Sequence, residues 1–222
     1  MRRAARSTAA FAFSAFAAWA IAAAAQEPPI YERPAPAGRY TLDPAHTSVL
    51  FRVSHLGFSM FTGRFLEAEA TLDFDPAAPG TMRVSARVPI ASVETHYPGD
   101  DIDFNAMVAG PEFLNATPEA PDMTFESTAV VLTGERTADV TGDLTLNGLT
   151  RPVTLAVTFN GGYAGHPLDA GARIGFSATG AISRSDFGVD FGLPAPGSTL
   201  GVGDRVEIII EAEFLNPDAP KD

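Results

Sequence analysis

The chain has 222 residues, no cysteine and a formal charge of −12 at pH 7, with 15 basic against 27 acidic side chains. Zero cysteine excludes thiol nucleophiles, thiolate metal sites and dithiol redox chemistry. The acidic balance argues against nucleic acid, whose binding rests on neutralising phosphates, and against adhesion to anionic lipid surfaces, but it says little about a ligand held inside the molecule, because surface charge is screened beyond about 10 Å at 0.1 M salt.

Arg2, Arg3 and Arg6 make a basic start, and Ser7 to Ala25 then carries no charge and is rich in Ala and Phe. Ala23-Ala24-Ala25 followed by Gln26-Glu27-Pro28-Pro29 has the layout of a secretory signal peptide and its cleavage site. A retained anchor is the alternative, since the uncharged run approaches the ~20 residues that a span needs; the Ala-rich end and the Pro after it favour cleavage. Residues 1–25 are therefore expected to be removed and the mature protein exported, with no stable membrane insertion. No Cys follows to carry a lipoprotein anchor. Removing the three Arg takes the mature charge to about −15, and a mature chain of about 195 residues is long enough to bury a core without disulfides.

Residues 26–37 contain Pro28, Pro29, Pro34 and Pro36 and read as an extended, mobile lead-in. Residues 38–215 read as one domain, and 216–222 as a polar tail. Within the domain, apolar residues recur at every second position, which places each stripe on one face of a β-strand. Tyr40-Thr41-Leu42 leads into the stripe Val49, Phe51, Val53, His55. Leu66, Ala68, Ala70, Leu72 and Phe74 follow, then Met82, Val84, Ala86, Val88 and Ile90.

Asp100 to Ala116 does not alternate and predicts a short helical crossover, started by the acids Asp100, Asp101 and Asp103, with Phe104, Met107 and Val108 on one side. A weaker stripe, Met123 to Val131, comes next. Val140, Gly142, Leu144 and Leu146 end at Asn147-Gly148, a strong hairpin signal, and Val153, Leu155, Val157 and Phe159 return. Ile174 to Ile182 and Val206 to Phe214 complete about eight strands. The fold class expected is all-β: an antiparallel barrel of lipocalin type, closed because closure removes sheet edges. Eight strands leave an interior that holds either side chains or one small ligand; a β-sandwich would show the same alternation.

Catalytic spacing is absent from the sequence. The four His (His46, His55, His96, His166) form no H-E-x-x-H pattern, and there is no G-x-S-x-G elbow or phosphate-cradling Gly loop. No metal site and no cofactor are expected, and His46, His96 and His166 read as loop histidines. His55 continues an apolar stripe. It is either a half-buried His bonded to a backbone carbonyl, or a polar handle meeting a ligand head group. Ser183-Arg184-Ser185-Asp186-Phe187-Gly188 reads as a fixed turn with its own Arg–Asp ion pair; Arg184 is a second candidate handle if the ligand carries phosphate.

Several segments together resemble the YceI-like, polyisoprenoid-binding proteins of bacteria. They are Tyr40-Thr41-Leu42-Asp43-Pro44-Ala45-His46-Thr47-Ser48, Phe51-Arg52-Val53-Ser54-His55-Leu56-Gly57, Gly142-Asp143-Leu144-Thr145-Leu146-Asn147-Gly148-Leu149-Thr150-Arg151-Pro152-Val153, and Arg184-Ser185-Asp186-Phe187-Gly188-Val189. The resemblance implies a periplasmic, non-catalytic barrel of lipocalin type whose apolar cavity holds an isoprenoid chain, as in a polyprenyl phosphate or a quinone. Two features depart from the family pattern: Asp101 to Met107 lacks its usual His, and Pro194 to Gly197 makes a longer loop.

The wall of such a cavity would be built by Val49, Phe51, Val53, Leu72, Phe74, Val84, Val88, Phe125, Leu144, Leu146, Leu155, Val157, Phe176 and Ile208, with His55 and Arg184 as polar handles. Small inward residues, Ala68, Ala70, Ala86, Ala178 and Gly180, favour a hollow over a filled structural barrel. An uncharged head group fits the acidic chain at least as well as a diphosphate. A homodimer is left open, and an enzyme acting on a lipid head group is the least supported reading.

Overall fold

A computed structural model of the protein describes residues 32–169 and 171–219. The signal-peptide reading of residues 1–25 lies outside the described residues. The alternating stripes become antiparallel strands: β1 (Gly38–Leu42), β2 (Ser48–His55), β3 (Ser59–Phe65), β4 (Glu69–Phe74), β5 (Arg83–Pro89), β6 (Val93–Glu94), β7 (Asp122–Leu132), β8 (Thr137–Leu146), β9 (Leu149–Tyr163), β10 (Ala172–Ser183) and β11 (Val202–Asn216). Among the described residues one α-helix, α1 (Phe104–Ala109), lies in the long connection between β6 and β7.

The strands β1-β4-β5-β7-β8-β9-β10-β11 run in that order, and β11 returns to β1 through Thr41↔Leu215 and Leu42↔Phe214. This is the closed, eight-stranded antiparallel barrel expected. β11 is long enough to serve two partners along one edge: β1 near its end, and β2 from Val202↔His55 to Glu211↔Ser48. β2 and β3 thus continue β1 and β4 as an extension of the barrel wall, and β6 pairs with β3 at Phe65↔Val93. Asn147 and Gly148 both have positive φ, which the two-residue β8–β9 hairpin requires, and Leu146 pairs with Leu149 across it.

β3 is the long strand that the alternation did not announce. It follows a three-residue turn, Leu56-Gly57-Phe58, in which both Leu56 (φ 55°) and Gly57 (φ 72°) take positive φ; Gly57 alone marks it, between two apolar residues. Its inward position Gly63 is also unusual, and the reason lies across the sheet. Gly63 pairs with Phe51, and a Cβ at Gly63 would lie inside van der Waals contact of the Phe51 ring. Leu66, expected at the head of an inward stripe, precedes β4 and is exposed.

α1 is shorter than the crossover predicted from residues 100–116. Asp103 caps it, its Oδ1 accepting the Ala106 N–H at 2.9 Å, and Gly110 ends it. Asn105 anchors the helix to the barrel: its Oδ1 accepts from the Thr95 N–H (2.9 Å) and hydroxyl (2.6 Å), and its Nδ2 donates to Glu94 at 3.2 Å.

Described parts of both flanking segments are packed: the lead-in expected to be mobile at Ala35, and the polar tail at Ala219. Ala35 and Ala219 are buried in one core cluster with Tyr40, Phe74, Ile174 and Phe214, and the Tyr40 hydroxyl donates to the Pro36 carbonyl at 2.7 Å. Burial pushes the Tyr40 pKa up to about 12. A second cluster, Ile90, Leu146, Val153, Phe187 and Val189, closes the other half of the barrel.

Candidate functional site

Between and including parts of these clusters runs a cavity of about 940 Å³, at the upper end of the volumes usual for ligand pockets. Its wall is almost wholly apolar. Every residue named above as a wall position lines it: Val49, Phe51, Val53, Leu72, Phe74, Val84, Val88, Phe125, Leu144, Leu146, Leu155, Val157, Phe176 and Ile208. Period-two alternation in a barrel of known closure leaves no other side for them.

Of the five small residues expected to leave space, Gly180 does not. A Cβ at Gly142 would sit 2.4 Å from the Phe125 ring, and one at Gly180 2.6 Å from Leu155 Cδ2. Together with Gly63 under Phe51, these glycines are already filled by a large neighbour on the next strand. Gly180 therefore leaves no space. The four alanines leave space as expected, since Ala68, Ala70, Ala86 and Ala178 all line the cavity wall. Aromatic rings furnish much of the rest: Phe74, Phe159 and Phe176 form one chain of ring contacts (5.9 and 5.3 Å between centroids) and Phe51 touches Phe61 and Phe65.

The cavity reaches solvent where exposed residues join its wall. At one end these are His55, Ser59 and Tyr97, with Phe61, Phe104, Val108 and Phe113 just inside. The ring of Phe104, at the start of α1, sits 6.4 Å from Phe61 and 5.4 Å from Tyr97. At the other end the β7–β8 turn contributes Glu135 and Arg136, and the Arg136 guanidinium lies 5.6 Å from the Phe159 ring centroid. His55 is thus an exposed group at a mouth of the cavity, rather than a half-buried one. It pairs with Ser59 across the β2–β3 hairpin.

Arg184 also borders the cavity, but its guanidinium has other work. It is buried, and it donates to the carbonyls of Gly203 (2.9 Å), Val189 (2.6 Å) and Val202 (2.8 Å). This clamps the turn after β10 to the start of β11. Burial lowers its pKa, against the raising charges of Asp204 and Asp190. The ion pair with Asp186 expected from the sequence is replaced by these carbonyls, because Asp186 points to solvent while the chain from Val189 to Gly203 folds back over Arg184.

A polar network that no sequence spacing announced lies outside the cavity. Arg173 donates to Asp169 (2.6 Å), to Asp43 (2.8 Å) and to Glu213, and Asp43 also bonds His46 Nδ1 at 2.8 Å. Asp43, His46 and Glu213 are close enough to share a cation. The Arg173 guanidinium already supplies that positive charge, so the arrangement is an ion-pair cluster tying β1, β10 and β11 together. The bond to His46, and then Arg173, hold the Asp43 carboxyl at a pKa of about 2. His46 is an exposed histidine in the β1–β2 connection, as expected, and it also bonds Asp43.

The model of the family described as "YceI-like domain" matches residues 40–214. A UPF0312 protein of Pseudomonas putida is 38% identical over 173 residues, covering 77% of this chain and 86% of its own. Among solved structures, Burkholderia cenocepacia BcnA matches with a TM-score of 0.62 and 27% identity, over 78% of this chain and 98% of that one. A polyisoprenoid binding domain from Saccharophagus degradans, implicated in plant cell wall breakdown, matches with a TM-score of 0.54 at 16% identity, over 80% and 98% of the two chains, a likeness of fold.

Proposed function

The chain belongs to the YceI-like domain family, and from that premise we propose that it is a periplasmic, non-enzymatic protein that binds a lipid with an isoprenoid chain, for storage or transport. One observation carries the reading: a continuous apolar cavity of about 940 Å³ through the barrel. At roughly the ~30 Å³ that a water-sized group occupies, this is room for on the order of thirty chain carbons. Burying apolar surface yields about 25 cal/mol per Å², so a long chain binds well with few polar contacts. A filled structural barrel would leave no such volume.

The mouths favour an uncharged head, such as a quinone, over a diphosphate. At one mouth His55, Ser59 and Tyr97 offer hydrogen bonds without a fixed positive charge; at the other Arg136 donates to the carbonyls of Phe159 and Asn160, and the Arg184 guanidinium is likewise committed to backbone carbonyls. Native mass spectrometry of the purified protein tests both levels. A co-purified isoprenoid lipid with a neutral head is the expected result. A co-purified polyprenyl diphosphate would retain the cavity reading and reject the head-group preference. Protein that carries no lipid, and whose melting temperature moves with neither a long-chain quinone nor a polyprenyl phosphate, would reject the binding function itself.

A further inference from the structure

The two mouths of the cavity differ in what surrounds them. Around the His55 mouth stand six exposed apolar side chains: Phe58, Met60, Ile102, Met107, Phe191 and Leu200. Phe58 is 82% exposed and Leu200 69%. They come from three separate places, the β2–β3 hairpin, the segment carrying α1, and the loop between β10 and β11.

Direct contacts bring these connections to one end. The Leu56 N–H donates to the Gly201 carbonyl at 2.8 Å, and the Val202 N–H to the Gly192 carbonyl at 2.7 Å. Phe113 stacks on Phe191 with centroids 4.8 Å apart, and Phe104 reaches Phe61. Phe61, Phe104 and Phe113 are themselves on the cavity wall, so the exposed apolar rim is continuous with the apolar interior. Isolated exposed apolar residues are ordinary, whereas a contiguous set around a pocket marks an interaction surface.

The charge of this rim selects its partner. Residues 56–60, 95–121 and 185–201 contain no Lys and no Arg. They carry the exposed acids Asp100, Asp101, Asp103 and Asp190. A surface of anionic lipid repels such a rim, since attraction there rests on basic residues; a zwitterionic surface accepts apolar side chains without that penalty. The Glu135–Arg136 end carries fewer such groups among the described residues, Val131 and Leu132 on one hairpin and Leu168 in the β9–β10 connection, which come from two places rather than three.

We propose that the barrel docks on a zwitterionic lipid bilayer through the apolar rim of the His55 mouth, so that a lipid passes from membrane to cavity without crossing water. This rests on the lipid-binding reading for its purpose, but its test does not. The protein has no cysteine, so Phe58→Cys, Leu200→Cys and, at the opposite mouth, Glu135→Cys each accept one environment-sensitive dye. With phosphatidylcholine vesicles, emission is expected to shift to the blue and rise at positions 58 and 200 but not at 135, and to respond less as phosphatidylglycerol replaces phosphatidylcholine.

A response at 135 equal to that at 58, no response at any position, or a response strengthened by phosphatidylglycerol would overturn docking by this rim. Because the readout is position by position, attachment by any other part of the chain does not imitate it. Binding of a long-chain quinone by the same labelled proteins, measured without vesicles, separates failure of docking from failure of the cavity to hold lipid.

Discussion

Individual residues in this protein act through partners that are remote in sequence. Asp43 and Arg173 lie 130 positions apart and meet at 2.8 Å. The Asp43 pKa of about 2 stands below its unfolded value of about 3.9, so the folded state favours the charged form. The stability this contributes is fully present above the unfolded value and is lost as pH falls from about 4 through about 2. Urea midpoints measured across that window should drop, and Asp43→Asn should drop less over the same window. Equal slopes for the two proteins would remove Asp43 from the acid transition. Arg184 illustrates the same point: a guanidinium that looked like a ligand handle is a clamp, because its three acceptors arrive from a loop that closes over it.

At the scale of elements, the wall is built from cross-strand pairs of unequal size. Phe51 on β2 lies over Gly63 on β3, and Phe125 on β7 over Gly142 on β8. Each ring takes the volume that its neighbour's side chain would have filled. Gly63→Ala is therefore expected to overpack the β2–β3 pair and cost about 1–3 kcal/mol, read from chemical denaturation. Phe51→Leu in the same chain should recover part of the loss. An unchanged midpoint for Gly63→Ala would show that the Phe51 ring moves aside freely. The inward stripes of β2, β4, β5 and β7 to β11 were legible because their period is two and their residues are mostly apolar; β6 was too short to show one, and β3 was not legible because its inward face is Ser59, Phe61, Gly63 and Phe65, whose pattern makes sense only beside Phe51.

For the whole molecule, the central consequence is that the barrel is wider than its inward side chains can fill. Ala178, buried and on the cavity wall between Val157 and Ile210, offers a place to reduce the space without touching either mouth. Ala178→Phe should fold with near-native stability, because the ring enters a hollow, yet weaken binding of a long-chain quinone by about tenfold, or 1.4 kcal/mol. Full retention of affinity would place the bound chain elsewhere. Ligand binding should also raise the melting temperature by mass action, about 2.7 kcal/mol at a hundred times Kd, so protein freed of lipid is expected to melt earlier than protein as purified.

The amino-acid sequence by itself determined the all-β class and the inward stripes of most strands, and from them wall positions of the cavity, because side-chain alternation along a strand is a local property that each segment carries alone; closure into a barrel, against a sandwich that alternates alike, was decided where β11 meets β1. Tertiary structure decided what the interior and the polar groups do. The cavity's volume depends on barrel width and on how Phe51, Phe125 and Leu155 fill the glycines opposite them. The fates of Arg184, His55 and Asp43 depend on which distant carbonyls, solvent or guanidinium the closed chain brings to them, and those neighbours exist only once the strands have met.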